Sequence, residues 1–415
     1  MRILMLAHRI PYPPHTGDKT RAFHVARYLA ARHQLTLGFL VDDPRDLAGV
    51  PELQRVIPDI VFGRLRKPVS LARGMAGLVG GGTVTLSYFY SRGLARQLDR
   101  RRHGGEFDVV YASSTAMLQY VPSRDIPLVM DFVDVDSDKW RQYGERRGAP
   151  LSWLYRTEAR RLQACEGDIA RRARVCLLAT EVEEQQLRSF APWAYTAVVP
   201  NGIDTVYYSP QPRAIDPPAV IFTGAMDYLP NVDAVQYFCA DVLPLIRRDV
   251  PEAVFYIVGL NPSGDVRRLA QRAGVVVTGA VPDVRPYYAR ASVCVAPLRI
   301  GRGIQNKVLQ GMAMGLPVVA SPLAARGVRA EAGVHLEVAD GAVAFAGHVT
   351  RLLKEPEARR DLGDAGRACV EAHYSWARSL SGLEELIVAA SRRPQPAGDA
   401  FGLPTNGARA WSPRA

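Results

Sequence analysis

The feature that most constrains this chain is a succession of short, uninterrupted apolar runs, each followed by a loop and then by a helically spaced segment. "RILMLA" (2–7) leads into "KTRAFHVARYLAARH", where Ala22, Val25, Ala26 and Leu29 recur at helical spacing. "LTLGFLV" (35–41), "FDVVYAS" (107–113), "PLVMDFV" (127–133), "RVCLLAT" (174–180) and "YTAVVPN" (195–201) repeat the signature. Runs that are apolar at every position, rather than at alternate ones, describe strands covered on both faces, hence parallel sheets between helices. The rhythm stops in a Pro/Asp-rich stretch at 205–218. It restarts with "AVIFTG" (219–224), "AVFYIVG" (253–259), "GVVVTG" (274–279), "SVCVAP" (292–297) and "LPVVAS" (316–321). The expectation is an α/β protein of two similar, doubly wound parallel-sheet domains, 1–200 and 201–376, facing a cleft. A helix at 377–391 is expected to return to the first domain. The Pro/Gly/Arg-rich stretch 392–415 lacks periodicity and reads as a disordered tail.

Composition narrows the function classes. At 415 residues the chain exceeds one ordinary core, and 48% hydrophobic with 22% charged residues is globular usage. A net charge of +11 implies an acidic partner: nucleic acid, an anionic lipid surface or a phosphorylated small molecule. Residues 1–200 hold 29 Lys and Arg against 21 Asp and Glu, so the first domain is the more basic half. The Arg-rich stretches 96–105 and 154–175 read separately as solvated helix faces. Together they favour an anionic surface beside the first domain, and no nucleic-acid motif accompanies them. Five cysteines (165, 176, 239, 294 and 369) without CxxC spacing read as buried thiols in a reducing compartment. The apolar start is too short for a signal peptide, and the glycine-interrupted run at 75–90 is not a spanning helix. A cytoplasmic protein, soluble or peripheral on the inner face of the membrane, is expected.

In open α/β sheets, ligands lie beyond the carboxyl ends of the strands, beside helix amino termini. That rule nominates Gly17, in the loop "PYPPHTGDK" after the first strand, although no GxGxxG fingerprint is present. It also nominates "GRGIQNKVLQGMAMGLPVV" (301–319), where Arg302 and Gly303 precede a helix with Lys307 in its first turn. A cation is disfavoured there by the exposed amides, so a bound anion, a diphosphate, is expected. Lys307 and Gln310 share one helix face, and Val308, Leu309, Met312 and Ala313 cover the other. Asp131 and Asp134, at the end of the strand "PLVMDFV", are the candidate catalytic groups. Asp134, Asp136, Asp138 and Glu145 match the first, third, fifth and twelfth positions of a calcium loop, but Lys139 stands where the sharp turn needs glycine. No metal is expected.

The ordered blocks "VPNGID", "IFTGAMDYLPN", "FYIVG", "VVVTGAVPDVRPYYARASVCVAPL" and "GRGIQNKVLQGMAMGLPVVAS" resemble glycosyltransferase family 4, over roughly 1–390 and most strongly over 199–321. The segments "GAMDYLPNVDAV", "GRGIQNKVL" and "DFVDVDSDKW" are most similar to the sugar transferases of exosortase (PEP-CTERM) exopolysaccharide clusters. The resemblance implies the GT-B fold of two Rossmann-like domains. It implies a hexosyl-type transfer from a nucleotide-diphosphate sugar to a lipid-linked saccharide acceptor, with retained configuration, no metal and no cofactor. It implies that Gly17 lies by the donor phosphates, Gly224 at the first strand end of the second domain and position 310 beside the ribose. Arg302 and Gln310 stand where the family commonly has two glutamates. Asp227 and Asn231 occupy the region where many members carry an arginine and a lysine. Diphosphate neutralisation then rests on Lys307 and Arg302. A non-catalytic sugar-nucleotide-binding scaffold and a nucleotide-sugar epimerase are the alternative readings.

Overall fold

The computed structural model describes residues 1–14, 16–102, 107–145, 148–212, 218–301 and 303–392. Thirteen strands form two sheets among them. The first sheet contains β1 (Arg2–Ala7), β2 (Gln34–Val41), β3 (Asp59–Arg64), β4 (Val109–Ser113), β5 (Leu128–Val133), β6 (Val175–Leu178) and β7 (Thr196–Val198). Its order is β3-β2-β1-β4-β5-β6-β7, and every pairing is parallel. The second holds β8 (Ala219–Thr223), β9 (Val254–Val258), β10 (Val275–Gly279), β11 (Val293–Ala296), β12 (Val318–Ala320) and β13 (Glu337–Val338). Its order is β10-β9-β8-β11-β12-β13, again wholly parallel.

The uninterrupted apolar runs now have their reason. In β1, Ile3, Met5 and Ala7 enter the core on one face of the first sheet while Leu4 and Leu6 enter the core on the other. A strand covered twice must be apolar at both parities. Two strands escaped the sequence reading. β3 ("DIVFGR") is an edge strand with only part of its length buried, and β13 is two residues long. The 75–90 run is divided between helices Lys67–Val79 and Val84–Tyr88. No helix among the described residues is long and apolar enough to cross a membrane.

The chain passes between the sheets twice, and the two passages touch. Ile203 N donates to Tyr374 O at 2.6 Å, and Ile203 bridges Ser375. Gly202 lies against Trp376, where a Cβ would come within 2.6 Å of the indole. The same indole stacks on His24 of helix Gly17–Ala30, with ring centroids 4.3 Å apart. Burial and Arg27 hold the His24 imidazole down at about 4, so it stacks as a neutral ring. The last helix, Leu383–Arg392, then lays Leu383, Ile387 and Ala390 into the first-domain core beside Val109, Tyr111 and Val129.

Candidate active site in the cleft

Both sheets direct the carboxyl ends of their central strands at one another, and the helices that follow meet end to end. Helix Gly17–Ala30 follows β1, and helix Asn306–Ala313 follows β11. No side chain caps the amino terminus of either helix. The two starts are close enough that a Cβ on Gly17 would lie 3.2 Å from Asn306 Nδ2. Two open first turns therefore aim their backbone amides into one gap, an arrangement suited to an anion.

Lys307 lies in the first turn of the second of these helices, and it is buried. Its amine donates to Gln305 Oε1 at a long 3.4 Å and stands 5.1 Å from the centroid of the Phe222 ring. Burial brings its pKa down to about 8. The folded protein thus carries an ammonium with weak compensation at an already electropositive helix end. Gly303, three residues before that helix, has φ +61°, and a Cβ there would fall 2.3 Å from Asp134 Oδ1. Glycine is required twice over, by backbone conformation and by the approach of the first domain. Arg302 lies outside the described residues.

Asp134 is set on the cleft by a distorted strand end. The pairing of β5 with β6 slips between Asp131 and Val133, and Val133 adopts φ +64°, a costly conformation for a β-branched residue. Two buried carboxyl groups grip the backbone beyond it. Glu183 accepts from Val135 N at 2.7 Å, and Glu166 accepts from Ser137 N at 3.0 Å and from Ser137 Oγ at 2.5 Å. Burial pushes both up to about 8, with the charge of Asp134 adding to Glu183 and that of Asp136 to Glu166. Asp134, Asp136, Lys139, Tyr143, Tyr228 and Ile300 line a pocket between the domains, and the Tyr143 and Tyr228 hydroxyls hydrogen-bond across it.

The remaining candidates face inward. Asp131, which the sequence nominates alongside Asp134, is buried in a bidentate pair with Arg21, Nε to Oδ2 at 2.8 Å and Nη2 to Oδ1 at 2.9 Å. Tyr111 donates to the same carboxylate at 2.5 Å, and Arg21 Nη1 donates to Val199 O and Asn201 Oδ1. Asp131 thereby ties the first helix, β4 and β5 to the exit from the first domain; its oxygens are spent on protein groups rather than turned to a substrate. Gln310 is also engaged: its Nε2 donates to Tyr208 at 2.9 Å, and its Oε1 accepts from Tyr288 at 3.2 Å and Thr223 at 3.4 Å. Gly224 is confined by packing, since a Cβ would meet Asn231 Nδ2 at 2.6 Å. Asn231 itself donates to Ala225 O at 2.9 Å. The acidic residues 136–145 form a helix rather than a calcium loop, and among the described residues no three His, Cys, Asp or Glu cluster to hold a metal.

Sequence reading missed one cluster beside Gly17. Asp18 receives Thr16 Oγ1 at 2.7 Å and pairs with Arg9 at 3.1 Å and His8 Nε2 at 3.2 Å. Against its burial, these partners hold its carboxyl well below the usual range. The signal was present in the spacing His8-Arg9…Asp18, from a strand end to the following helix start, but local sequence does not say that the loop folds back.

Residues 217–355 match the family model described as glycosyl transferases group 1. No curated protein sequence matches the chain. Among solved structures, sucrose-phosphate synthase from Thermosynechococcus elongatus is 18% identical with a TM-score of 0.66, covering 94% of this chain and 100% of that one. HepE from Anabaena, in complex with UDP-glucose, is 15% identical with a TM-score of 0.67 over 94% and 100%. The lipopolysaccharide outer core galactosyltransferase WaaB is 13% identical with a TM-score of 0.56 over 94% and 99%. The chain has the GT-B fold, and its second domain carries the segment that matches group 1 glycosyltransferases.

Proposed function

We propose that the protein transfers a sugar from a nucleotide-diphosphate sugar, with the diphosphate seated between the amino termini of helices Gly17–Ala30 and Asn306–Ala313. The observation that carries this reading is the buried Lys307, weakly compensated, in the first turn of a helix that opens onto Gly17. The leaving group of such a transfer is a nucleoside diphosphate, whose developing charge needs fixed positive partners. The two sets of helix amides, Lys307 and Arg302 supply them, and this is the chemical basis for a transfer without a divalent ion. Further support comes from the group 1 match over 217–355 and from the UDP-glucose bound to HepE, a protein of the same fold.

In this reading Asp134 faces the reacting sugar, Gly303 and Gly17 let backbone approach the phosphates, and Gln310 lies beside the nucleotide. Reaching a ribose hydroxyl requires Gln310 to exchange one of its present partners. Retention of configuration, an exopolysaccharide or other lipid-linked saccharide acceptor, and action at the inner leaflet are part of the proposal and rest on the sequence resemblance. The first experiment is a thermal-shift titration with UDP, GDP, ADP and their common sugars, with and without EDTA. A base-selective upward shift that survives EDTA is the expected result; no shift with any of them overturns the reading.

One observation favours a second reading, a sugar-nucleotide-binding scaffold without turnover. Gln310 replaces a family carboxylate and is held by three hydroxyl groups. Turnover by the natural sequence removes this alternative, and a large gain on Gln310→Glu supports it.

A further inference from the structure

Helix Lys67–Val79 is inside out. Its packing face is made mainly of small residues: Ser70 and Gly74 are buried together with Leu78, and Gly74 and Gly77 face the following helix, Val84–Tyr88. A Cβ on Gly74 would stand 3.1 Å from Val84 Cγ1, and one on Gly77 only 2.0 Å from Ser87 Oγ. Arg161 fastens the far end by donating to the carbonyls of Leu78 and Gly82. The helix is thus held tightly by its small and polar side. Its solvent side carries the bulk: Val69 is 48% exposed, Leu71 59%, Met75 44% and Val79 87%. Leu71, Met75 and Val79 are spaced four apart, so they form one stripe. A helix that only covered the sheet would present the opposite pattern.

The charge where the helix begins is mainly positive, although Asp43 lies near enough to Lys67 to be stabilised by it. Arg64, Arg66 and Lys67 are exposed where the helix begins, and among the described residues none of the three reaches a carboxylate at ion-pair distance. Cations are disfavoured at a helix amino terminus, and the first turn holds no acidic residue to offset them. Residues 60–102 contain nine Lys and Arg and a single acid, Asp99, so this segment accounts for the basic excess of the first domain. An exposed apolar stripe with a cationic collar is the pattern of a helix lying in the headgroup boundary of an anionic bilayer. At 13 residues the helix is about 20 Å long, too short to span the hydrocarbon core.

We infer that helix Lys67–Val79 is the surface by which this protein docks on an anionic phospholipid bilayer, with Leu71, Met75 and Val79 entering the acyl boundary and Arg64, Arg66 and Lys67 meeting lipid phosphates. The inference rests on the inner-leaflet reading above and gives it a surface. That surface leads to the cleft. The helix it packs on ends in Tyr88, and the adjoining Phe89 ring meets His8 edge-on, 5.6 Å between centroids, at the cleft end of β1. A sugar chain anchored in the bilayer would therefore reach the site from the side of the docked helix.

The test is co-sedimentation of the full chain with vesicles of phosphatidylcholine alone or mixed with phosphatidylglycerol. Binding at least about tenfold stronger to the anionic vesicles is expected, falling in 0.5 M NaCl. The triple variant Leu71→Ser, Met75→Ser, Val79→Ser should lose at least about fivefold in bound fraction at unchanged melting temperature, because these side chains point away from the core. The double variant Arg66→Glu, Lys67→Glu tests the same surface by charge and keeps the inference falsifiable if the serine variant folds poorly. Equal binding by wild type and both variants overturns it, as does absence of any preference for anionic vesicles. Wild-type dimers that the serine variant dissociates would overturn it too, and would assign the stripe to a second copy of the chain. Donor thermal shifts measured on the same proteins separate the two readings. Donor binding without vesicle binding removes only the docking surface, whereas vesicle binding without any donor removes the transferase reading.

Discussion

Asp134 of the first domain occupies the space that a side chain on Gly303 of the second would need, with Oδ1 2.3 Å from the position of a Cβ. The two halves of the cleft are therefore closely fitted to each other at this glycine. Gly303→Ala should be harmful for two separable reasons: a left-handed backbone costs a non-glycine residue roughly 1–2 kcal/mol, and the methyl displaces Asp134. We expect a fall in turnover larger than the loss of stability accounts for, read by comparing kcat with the denaturation midpoint. A variant of normal kcat would detach Asp134 from the chemistry.

Lys307 should behave as a ligand group rather than a structural one. Replacing it with methionine removes a buried, weakly compensated cation, so folding stability should be retained or slightly raised. Affinity for the nucleoside diphosphate should drop by about 2 kcal/mol or more, the worth of a charge-assisted contact. Calorimetric titration of UDP, GDP or ADP, whichever binds, measures this, and unchanged affinity would remove Lys307 from the site.

The same lysine sets a pH dependence. In the free protein burial lowers its pKa to about 8, and a bound diphosphate favours the charged form and raises it. Measured with a nucleotide sugar, whose diphosphate has no group titrating near neutrality, affinity should be level below about pH 7 and decline above about pH 8, by up to tenfold per pH unit. Below that range both free and bound states are protonated, so no dependence remains. The Lys307→Met variant should bind weakly with a flat profile; a flat profile in the wild type contradicts the assignment.

Glu166 and Glu183 predict a stability slope of opposite origin. Both are raised to about 8, so between their unfolded values and pH 8 the folded state binds more protons than the unfolded chain. Stability from these groups is complete at low pH and is lost as pH rises through their folded values. Glu166→Gln, which keeps an acceptor for Ser137 N and turns an amide donor to Ser137 Oγ, whose hydroxyl then accepts, should be more stable than wild type near pH 8 and show a shallower slope between pH 5 and 8. Denaturant titrations across that range give the answer; an unchanged slope would mean that Glu166 is ionised in the folded protein.

The two aspartates at the end of β5 should separate cleanly. Asp131→Ala leaves Arg21 buried without its partner and should cost about 3–5 kcal/mol. Asp134→Asn should cost little stability and much turnover. Reversal of these outcomes would exchange the roles of the two residues.

These two residues also mark the limit of what sequence carries. The apolar runs of β1, β2, β4 and β5 announced a sheet covered on both sides, because that burial is written in consecutive residues. The partial burial of β3 and the two residues of β13 left no such run. Both Asp131 and Asp134 stand at a strand end, and sequence has no means to show that Arg21, 110 residues away, closes on the first of them. For the same reason the hydrogen bonds of Gln310 are not legible in sequence: Tyr208 lies 102 residues distant and Tyr288 22 residues distant. Lys307 and Gly17 could be nominated because their cue, a helix start after a strand, is local.

The last helix has a consequence for how the molecule is made. Leu383, Ile387 and Ala390 complete a core that includes Ile3 and Met5, so β1 is sealed by residues synthesised only after the whole of the second sheet. At ordinary translation rates the ribosome needs roughly 10–40 s to pass from the end of the first sheet to that helix. During this interval the nascent first domain holds an open apolar face, while the second domain, whose own core draws on residues 203–374, can close before it. The carboxyl-terminal half can therefore fold ahead of the amino-terminal one, against the direction of synthesis.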